Sequence, residues 1–437
     1  MKLKNIQITN FRCFDSLSID LDEQLTVIVA ENGSGKTAIL DAIATGMGTL
    51  LTHLPQISGK DLKITDLKFS NKIAKPFMRI TLETYDGIKW DRTRKRDNSV
   101  TTKKLIPNGI GTKRLLDFVD KNITDPFNND QAFVMPVIIY YGTGRGVFVP
   151  PKRSSPFKKE FQRFESLDMA LEGTARFNDL FRWFDSTEDR ERRGMVQWRD
   201  KDFWRKVGTD QSLPELRAVR KAIENMMPSF SKPRVDIRPW RFVIDWEKDG
   251  IKQTYRIEQL SDGYRMTLAM VMDIARRMAQ ANPDSENILE SEAIVLIDEV
   301  DLHLHPKWQQ TILPDLMRTF PNTQFIVTTH SPQVISTVAG HQIRILADNQ
   351  VIAGEAGTQG AEASRILKDV FGVESRPQNL EIVKKLNSYL ELIDKDEWDT
   401  KDALKLRQEL DEWSQGHEPE LIKADIDIRM KEFQRQL

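Results

Sequence analysis

Residues 30–40, AENGSGKTAIL, directly follow the apolar run Leu25-Thr26-Val27-Ile28-Val29, and this junction decides the fold. A short apolar strand, a glycine-bearing turn, and then Ile39, Leu40, Ile43, Met47 and Leu50 at helical spacing read as strand, phosphate loop and helix. From Ala30 the pattern is A-x-x-x-x-G-K-T, a P-loop whose first glycine is replaced by alanine. Within Asn32, Gly33, Ser34 and Gly35, the two glycines let successive backbone N–H groups turn toward phosphate oxygens. The start of the following helix adds a favourable field for anions. Lys36 is placed to reach the β- and γ-phosphates, and the Thr37 hydroxyl to ligate Mg²⁺. Alanine at position 30 is tolerable if the backbone there does not need a positive φ. The bland alternative is a glycine-rich turn with a surface lysine; the strand before it and the helix after it favour the nucleotide loop.

The rest of the chain sets limits. Its 437 residues can bury a large core and suggest two or three domains. With 64 basic against 65 acidic residues, net charge does not advertise a nucleic-acid partner. A single cysteine, Cys13, excludes a disulfide framework and suits a reducing cytosol. No apolar run approaches the roughly 18 residues that would span a bilayer. The N-terminus lacks the apolar core of a signal peptide. A soluble cytoplasmic protein is expected.

Residues 2–29 read as strands. A long interval without nucleotide signals follows, from about 55 to 250. It is β-rich at first, then contains the apolar strand in FVMPVIIYYGTGRG, becomes helical and basic-aromatic, and returns to strand around a KDG hairpin turn. From Ser261 a helix leads to the fully apolar strand AIVLIDE, a helix near Pro306 and the strand QFIVTTH. Alternating strands and helices imply parallel sheet. Beyond about Gly354 the chain is charged and helical.

Three further signals fit a nucleotide site. AIVLIDE, residues 293–299, delivers Asp298 and Glu299 at the carboxyl end of a buried strand, where open α/β sheets bind ligands. Asp298 is expected to hold Mg²⁺ and Glu299 to take a proton from the attacking water. FIVTTHSP ends a strand at His330, which could hydrogen-bond the γ-phosphate or that water. QLSDGYR offers the Ser261 hydroxyl, Asp262 and Gly263 just ahead of a helix. Each motif alone has an ordinary structural reading; their order along the chain is what carries the case.

That order resembles the ATP-binding-cassette heads of the SMC, RecF and OLD-type ATPases, and ITNFRCF, residues 8–14, is similar to their first hairpin. The resemblance implies an α/β fold: an ABC-type P-loop head with mixed and parallel sheet, an inserted α+β lobe and a helical C-terminal tail. The divisions expected are 1–54 and 251–355 for the head, 55–250 for the lobe and 356–437 for the tail, the last serving assembly or partner binding. By the same resemblance, residues 32–37 form Walker A, Ser261, Asp262 and Gly263 the signature, Asp298 and Glu299 Walker B, and His330 the switch histidine. The signature of one subunit would close on the nucleotide of another in a head-to-tail homodimer. Arg145, in YYGTGR, would lie in the Q-loop region near the nucleotide. Two departures matter: Ala30, and Asp262 in place of the second signature glycine, which sets a carboxylate near a γ-phosphate. The LHP ending of VDLHLHP is similar to the OLD-like branch rather than to transporters.

No sustained heptads mark an SMC arm. The acidic stretch DKDEWD, residues 394–399, reads as a solvated helix cap or loop rather than a nuclease metal site. The basic-aromatic stretches 152–164 and 190–206 could touch nucleic acid, but Trp183, Phe184, Trp198, Phe203 and Trp204 more often belong to a core at such spacing. The whole layout, with LSDGYR, LIDEVDLHLHPKWQ and a tail containing ILKDVFGVESRP, is most similar to the PtuA-like ATPases of Septu and retron antiphage systems. That resemblance implies an HNH endonuclease partner (PtuB-like), control by ATP, and nucleic acid reached through the complex. A RecF-like repair clamp that dimerises on DNA stays open as the alternative.

Overall fold

The computed structural model describes residues 1–70, 73–146, 161–173, 177–196, 212–237 and 240–435. The chain divides into two compact units, Met1–Ile366 and Leu367–Leu437.

Among the described residues, fifteen strands run in order through the first unit: β1 Leu3–Phe11, β2 Phe14–Asp20, β3 Leu25–Ala30, β4 Phe69–Ser70, β5 Ile73–Ala74, β6 Phe77–Thr84, β7 Lys89–Lys95, β8 Val137–Tyr141, β9 Phe230–Ile237, β10 Trp240–Lys248, β11 Ile251–Arg256, β12 Ala293–Ile297, β13 Thr323–Thr328, β14 Ile343–Ala347 and β15 Gln350–Ala353. The central sheet has the order β15-β14-β3-β13-β12-β8. It is parallel except for β15, an antiparallel edge. β3, β8, β12 and β13 are buried at every residue, which is why they read as largely apolar runs rather than alternating ones; Thr26, Thr323, Gln324 and Thr328 are their buried polar members.

A second, antiparallel sheet, β2-β1-β6-β7, joins the opening hairpin to strands from the interval 55–250, with Ile6 opposite Leu82 and Ile8 opposite Ile80. The same interval supplies β8 to the edge of the central sheet. The helix Lys36–His53 packs against strands of both sheets. It fits closely because residue 46 is glycine: a Cβ there would stand 2.5 Å from Leu82, and the Gly46 carbonyl accepts a hydrogen bond from the Trp90 indole. Strands β9–β11 form a smaller sheet in which Asp249 and Gly250, both at positive φ, make the two-residue turn expected of KDG. Trp183 and Phe184 are core residues of the helix Phe177–Val196, Phe184 meeting Phe242 edge-on. Trp198, Phe203 and Trp204, and most of the two basic-aromatic stretches, lie outside the described residues.

In the second unit the helices Glu381–Asp394, Lys401–Ser414 and Pro419–Arg435 enclose Leu386, Tyr389, Ile393, Leu410 and Leu421. The backbone of DKDEWD is the loop between the first two of these helices. Its tryptophan, however, is no solvated residue: Trp398 belongs to this core, 7% exposed. An acidic stretch hides an apolar anchor that its charge pattern conceals. The opposite face of the last helix carries Ile422, Ile426, Met430 and Phe433, all exposed. Among the described residues no helix is long and apolar enough to cross a membrane.

Candidate functional site

β3 ends at Ala30, which sits in strand conformation opposite Leu346, so the position makes no demand for positive φ and alanine fits. The turn that follows does use its glycines. Gly33 has φ +83° and Gly35 φ +99°, and a Cβ on Gly35 would strike Cys13 Sγ at 2.5 Å and Phe14 at 2.6 Å. The P-loop therefore lies directly on the tip of the opening hairpin, which explains the FRCF sequence beside it. Asn32 and Gly33 are exposed, Ser34 half-buried.

Lys36 is buried and folds back, its Nζ donating to the carbonyls of Ala30 at 2.9 Å and Glu31 at 3.0 Å. Phosphate oxygens are stronger acceptors than these carbonyls and compete for the same protons. Burial pushes the Lys36 ammonium below the ordinary lysine range, partly offset by Asp298, Glu299 and Asp301 nearby.

Thr37 Oγ1 donates to Asp298 Oδ2 at 2.6 Å, and Thr328 Oγ1 donates to Asp298 Oδ1 at 2.6 Å. Because β3, β13 and β12 are neighbours running the same way, one carboxyl edge brings these three residues together. Asp298 is 1% exposed, and both carboxylate oxygens are engaged. The backbone N–H of Glu299 donates to Thr328 Oγ1 at 2.8 Å, and Glu299 takes φ +49°, an unfavourable backbone state for glutamate. Next along, Thr329 Oγ1 donates to Asp301 at 2.5 Å, tying the turn after Glu299 to the end of β13. The His330 ring, half-buried, has no hydrogen-bond partner among the described residues. His305 instead caps the short helix Pro306–Gln309 through Nδ1.

Other expected residues sit differently. Ser261 stands exposed at the start of the helix Asp262–Ala281, and its side chain does not cap that helix. The carboxylate of Asp262 is paired with Arg265, so the charge that departs from the signature pattern is neutralised on its own helix. Gly263 does permit a close approach, but to this chain's own turn: a Cβ would lie 2.5 Å from the carbonyl of His303. Arg145, expected beside the nucleotide, points its guanidinium at the carbonyls of Gly142, Asp298 and Glu299. It braces the turn that follows β12 from within the protein.

Sequence reasoning missed a buried charge network on the Asp262–Ala281 helix. Asp273 accepts from Arg276, Arg277 and the hydroxyl of Tyr141, and Arg277 reaches on to the carbonyl of Ser166. Burial alone raises the Asp273 carboxyl, but the Arg277 and Arg276 guanidiniums outweigh it and hold it at about 2. The signal was present: charges at i, i+3 and i+4 inside an otherwise apolar helix face. Thr328 was equally legible, as a hydroxyl ending a buried strand beside Walker B.

Comparison with known proteins identifies the family. Residues 5–226 match the family described as AAA domain, and residues 146–336 the one described as AAA domain, putative AbiEii toxin, Type IV TA system. The retron Ec83 probable ATPase of Escherichia coli is 29% identical over 99% of this chain and 87% of its own length. The Septu protein PtuA of Bacillus mycoides is 37% identical over 102 residues, 23% of this chain and 14% of that protein. Among solved structures, an SMC head bound to the C-terminal winged-helix domain of ScpA aligns with 81% of this chain and 98% of its own, at 16% identity and a TM-score of 0.42.

Proposed function

The chain belongs to the AAA domain family, and we propose that it is the ATPase of a bacterial antiphage defence complex that controls a partner HNH endonuclease. The observation that carries the ATPase reading is the meeting of Thr37, Asp298 and Thr328 at one sheet edge, with Lys36 and Glu299 beside them. The retron and Septu relatives support the defence setting.

The residues divide the work as follows. Gly33, Ser34 and Gly35 present backbone N–H groups to the phosphates, and Lys36 neutralises charge that builds on the β- and γ-phosphates. Glu299 accepts a proton from the attacking water, and His330, whose ring is uncommitted, donates toward the γ-phosphate or orients that water. The donor set suits Mg²⁺: Thr37 and Asp298 are hard oxygen ligands already within hydrogen-bond distance of each other. When bound, that cation would offset the negative charge of the phosphates.

Ser261 and Gly263 close on the nucleotide of a second copy, so the working unit is a head-to-tail homodimer, with higher oligomers allowed. The exposure of Ser261 at a helix start, with no side-chain bond of its own, supports this. The tail unit, Leu367–Leu437, serves assembly and partner binding; nucleic acid is engaged through the complex, in the cytoplasm. Cleavage, on this reading, comes from the partner.

The test is affinity purification of the tagged full chain from its native host, with mass spectrometry and a plasmid-nicking assay. A co-purifying HNH-type protein and Mg²⁺-dependent cleavage that responds to ATP support the proposal. A chain that purifies alone and only binds DNA when ATP is present would count against it.

A further inference from the structure

Arg145 is 3% exposed, yet it forms no ion pair among the described residues. Its fork is spent on three carbonyls: Nη1 donates to Gly142 at 3.0 Å and to Asp298 at 2.5 Å, and Nη2 donates to Glu299 at 2.6 Å. Two of these three belong to Asp298 and Glu299, to which the proposed function gives the cation and the attacking water. Burying a guanidinium is costly, and carbonyls compensate it less well than a carboxylate does. Burial accordingly pushes the Arg145 pKa down.

The segment that carries Arg145 is itself fixed. The Asp298 N–H donates to the Tyr141 carbonyl at 2.8 Å, and the Gly142 N–H donates to the Gly173 carbonyl at 2.9 Å. Gly142 lies so close to that strap that a Cβ would stand 2.7 Å from the Gly173 carbonyl. The Tyr141 hydroxyl, fully buried, is anchored at 2.9 Å on Asp273 of the signature helix. The end of β8 is thus clamped to that helix on one side and to the Walker B turn on the other.

Across the site, Glu299 holds a positive φ, an unfavourable backbone state for a residue with a side chain. Its N–H is held by Thr328 and its carbonyl by Arg145, so the peptide groups on both sides of its Cα are fixed. The Cα–Cβ direction of the general base follows from those two bonds.

We propose that Arg145 is a positioning residue of the hydrolytic site: it clamps the carbonyls of Asp298 and Glu299 and so aims the Glu299 carboxylate, without touching the nucleotide. This rests on the ATPase reading above. It assigns Arg145 a different task from the place beside the nucleotide that the sequence resemblance implies.

The experiment compares the full chain with Arg145→Gln, Arg145→Lys and Glu299→Gln, reading Mg²⁺-ATP turnover, affinity for a fluorescent ATP analogue, and hydrogen exchange of residues 298–304. Expected for Arg145→Gln is affinity within about three-fold of the parent, kcat lowered at least 30-fold, and faster exchange confined to 298–304. Arg145→Lys, which keeps the charge but loses the fork, recovers part of kcat. If Arg145→Gln loses affinity and kcat together, the residue contacts nucleotide and the proposal is overturned. Unchanged kcat and unchanged exchange overturn it too. Should the glutamine variant not fold, the lysine variant decides by the same split. If the parent itself turns over no ATP, as little as Glu299→Gln, the ATPase reading fails. The exchange at 298–304 then still decides whether Arg145 holds this turn.

Discussion

The hydroxyl of Thr37 donates a 2.6 Å hydrogen bond to the carboxylate of Asp298, 261 positions later in the chain. Nothing local brings them together; the contact exists because β3 and β12 flank β13 in one parallel sheet and end at the same edge. Two hard oxygens held this way are suited to share a divalent cation, and that sharing is measurable. Thr37→Ala should lower nucleotide affinity at least ten-fold in Mg²⁺ and less than two-fold in EDTA. Titration calorimetry in the two buffers checks this, and equal losses in both would place Thr37 on the phosphates rather than on the cation.

Lys36 sets a pH dependence. Burial depresses its pKa in the free protein, and bound phosphates restore it. Binding therefore takes up a proton at alkaline pH. Affinity should fall as pH rises through the depressed value, by up to ten-fold per pH unit, beginning below the range of an ordinary lysine. The proton uptake shows as a buffer-dependent binding enthalpy and should vanish in Lys36→Ala.

The buried network around Asp273 contributes stability rather than chemistry. Its carboxyl lies at about 2, below the value of an unfolded aspartate. The contribution is therefore full above about pH 4 and is lost as pH falls toward 2. Asp273→Asn leaves Arg276 and Arg277 buried without their counter-charge and should cost about 3–5 kcal/mol. Denaturant unfolding at pH 7 measures the loss. The same variant should show a flatter stability profile between pH 4 and 2 than the parent.

A site shared between copies can be tested by complementation. Lys36→Ala and Ser261→Arg should each abolish turnover alone. Mixed in equal amounts and allowed to exchange, they form heterodimers in which one site carries both defects and the other neither. Recovery of up to about a quarter of the parent rate is expected, from half the dimers bearing one intact site each. No recovery after demonstrated subunit exchange would argue that each chain completes its own site.

Much of this was legible in the sequence, for physical reasons that differ by element. Gly33, Gly35, Lys36, Asp298 and Glu299 could be read because phosphate loops and parallel-strand ends impose fixed residue types at fixed spacing. β3, β12 and β13 could be read because strands buried on both faces are dominated by apolar residues. The pairing of β1 with β6 could not, since antiparallel partners far apart in the chain leave no local mark. Arg145 was legible as a residue of interest but not in its direction: a glycine-rich strand end says that backbone is approached closely, not which carbonyls an arginine will meet. Trp398 was hidden by its acidic neighbours, because its burial depends on three helices closing around it.

The proposed chemistry depends above all on Glu299 as the base of an ATPase. The most direct measurement is phosphate release from Mg²⁺-ATP by the purified chain and by Glu299→Gln, with nucleotide affinity determined on the same samples. The account predicts steady turnover by the parent and a loss of about 10²–10⁴-fold in the variant, which still binds ATP and accumulates as dimer. Turnover by Glu299→Gln at the parent rate would contradict it.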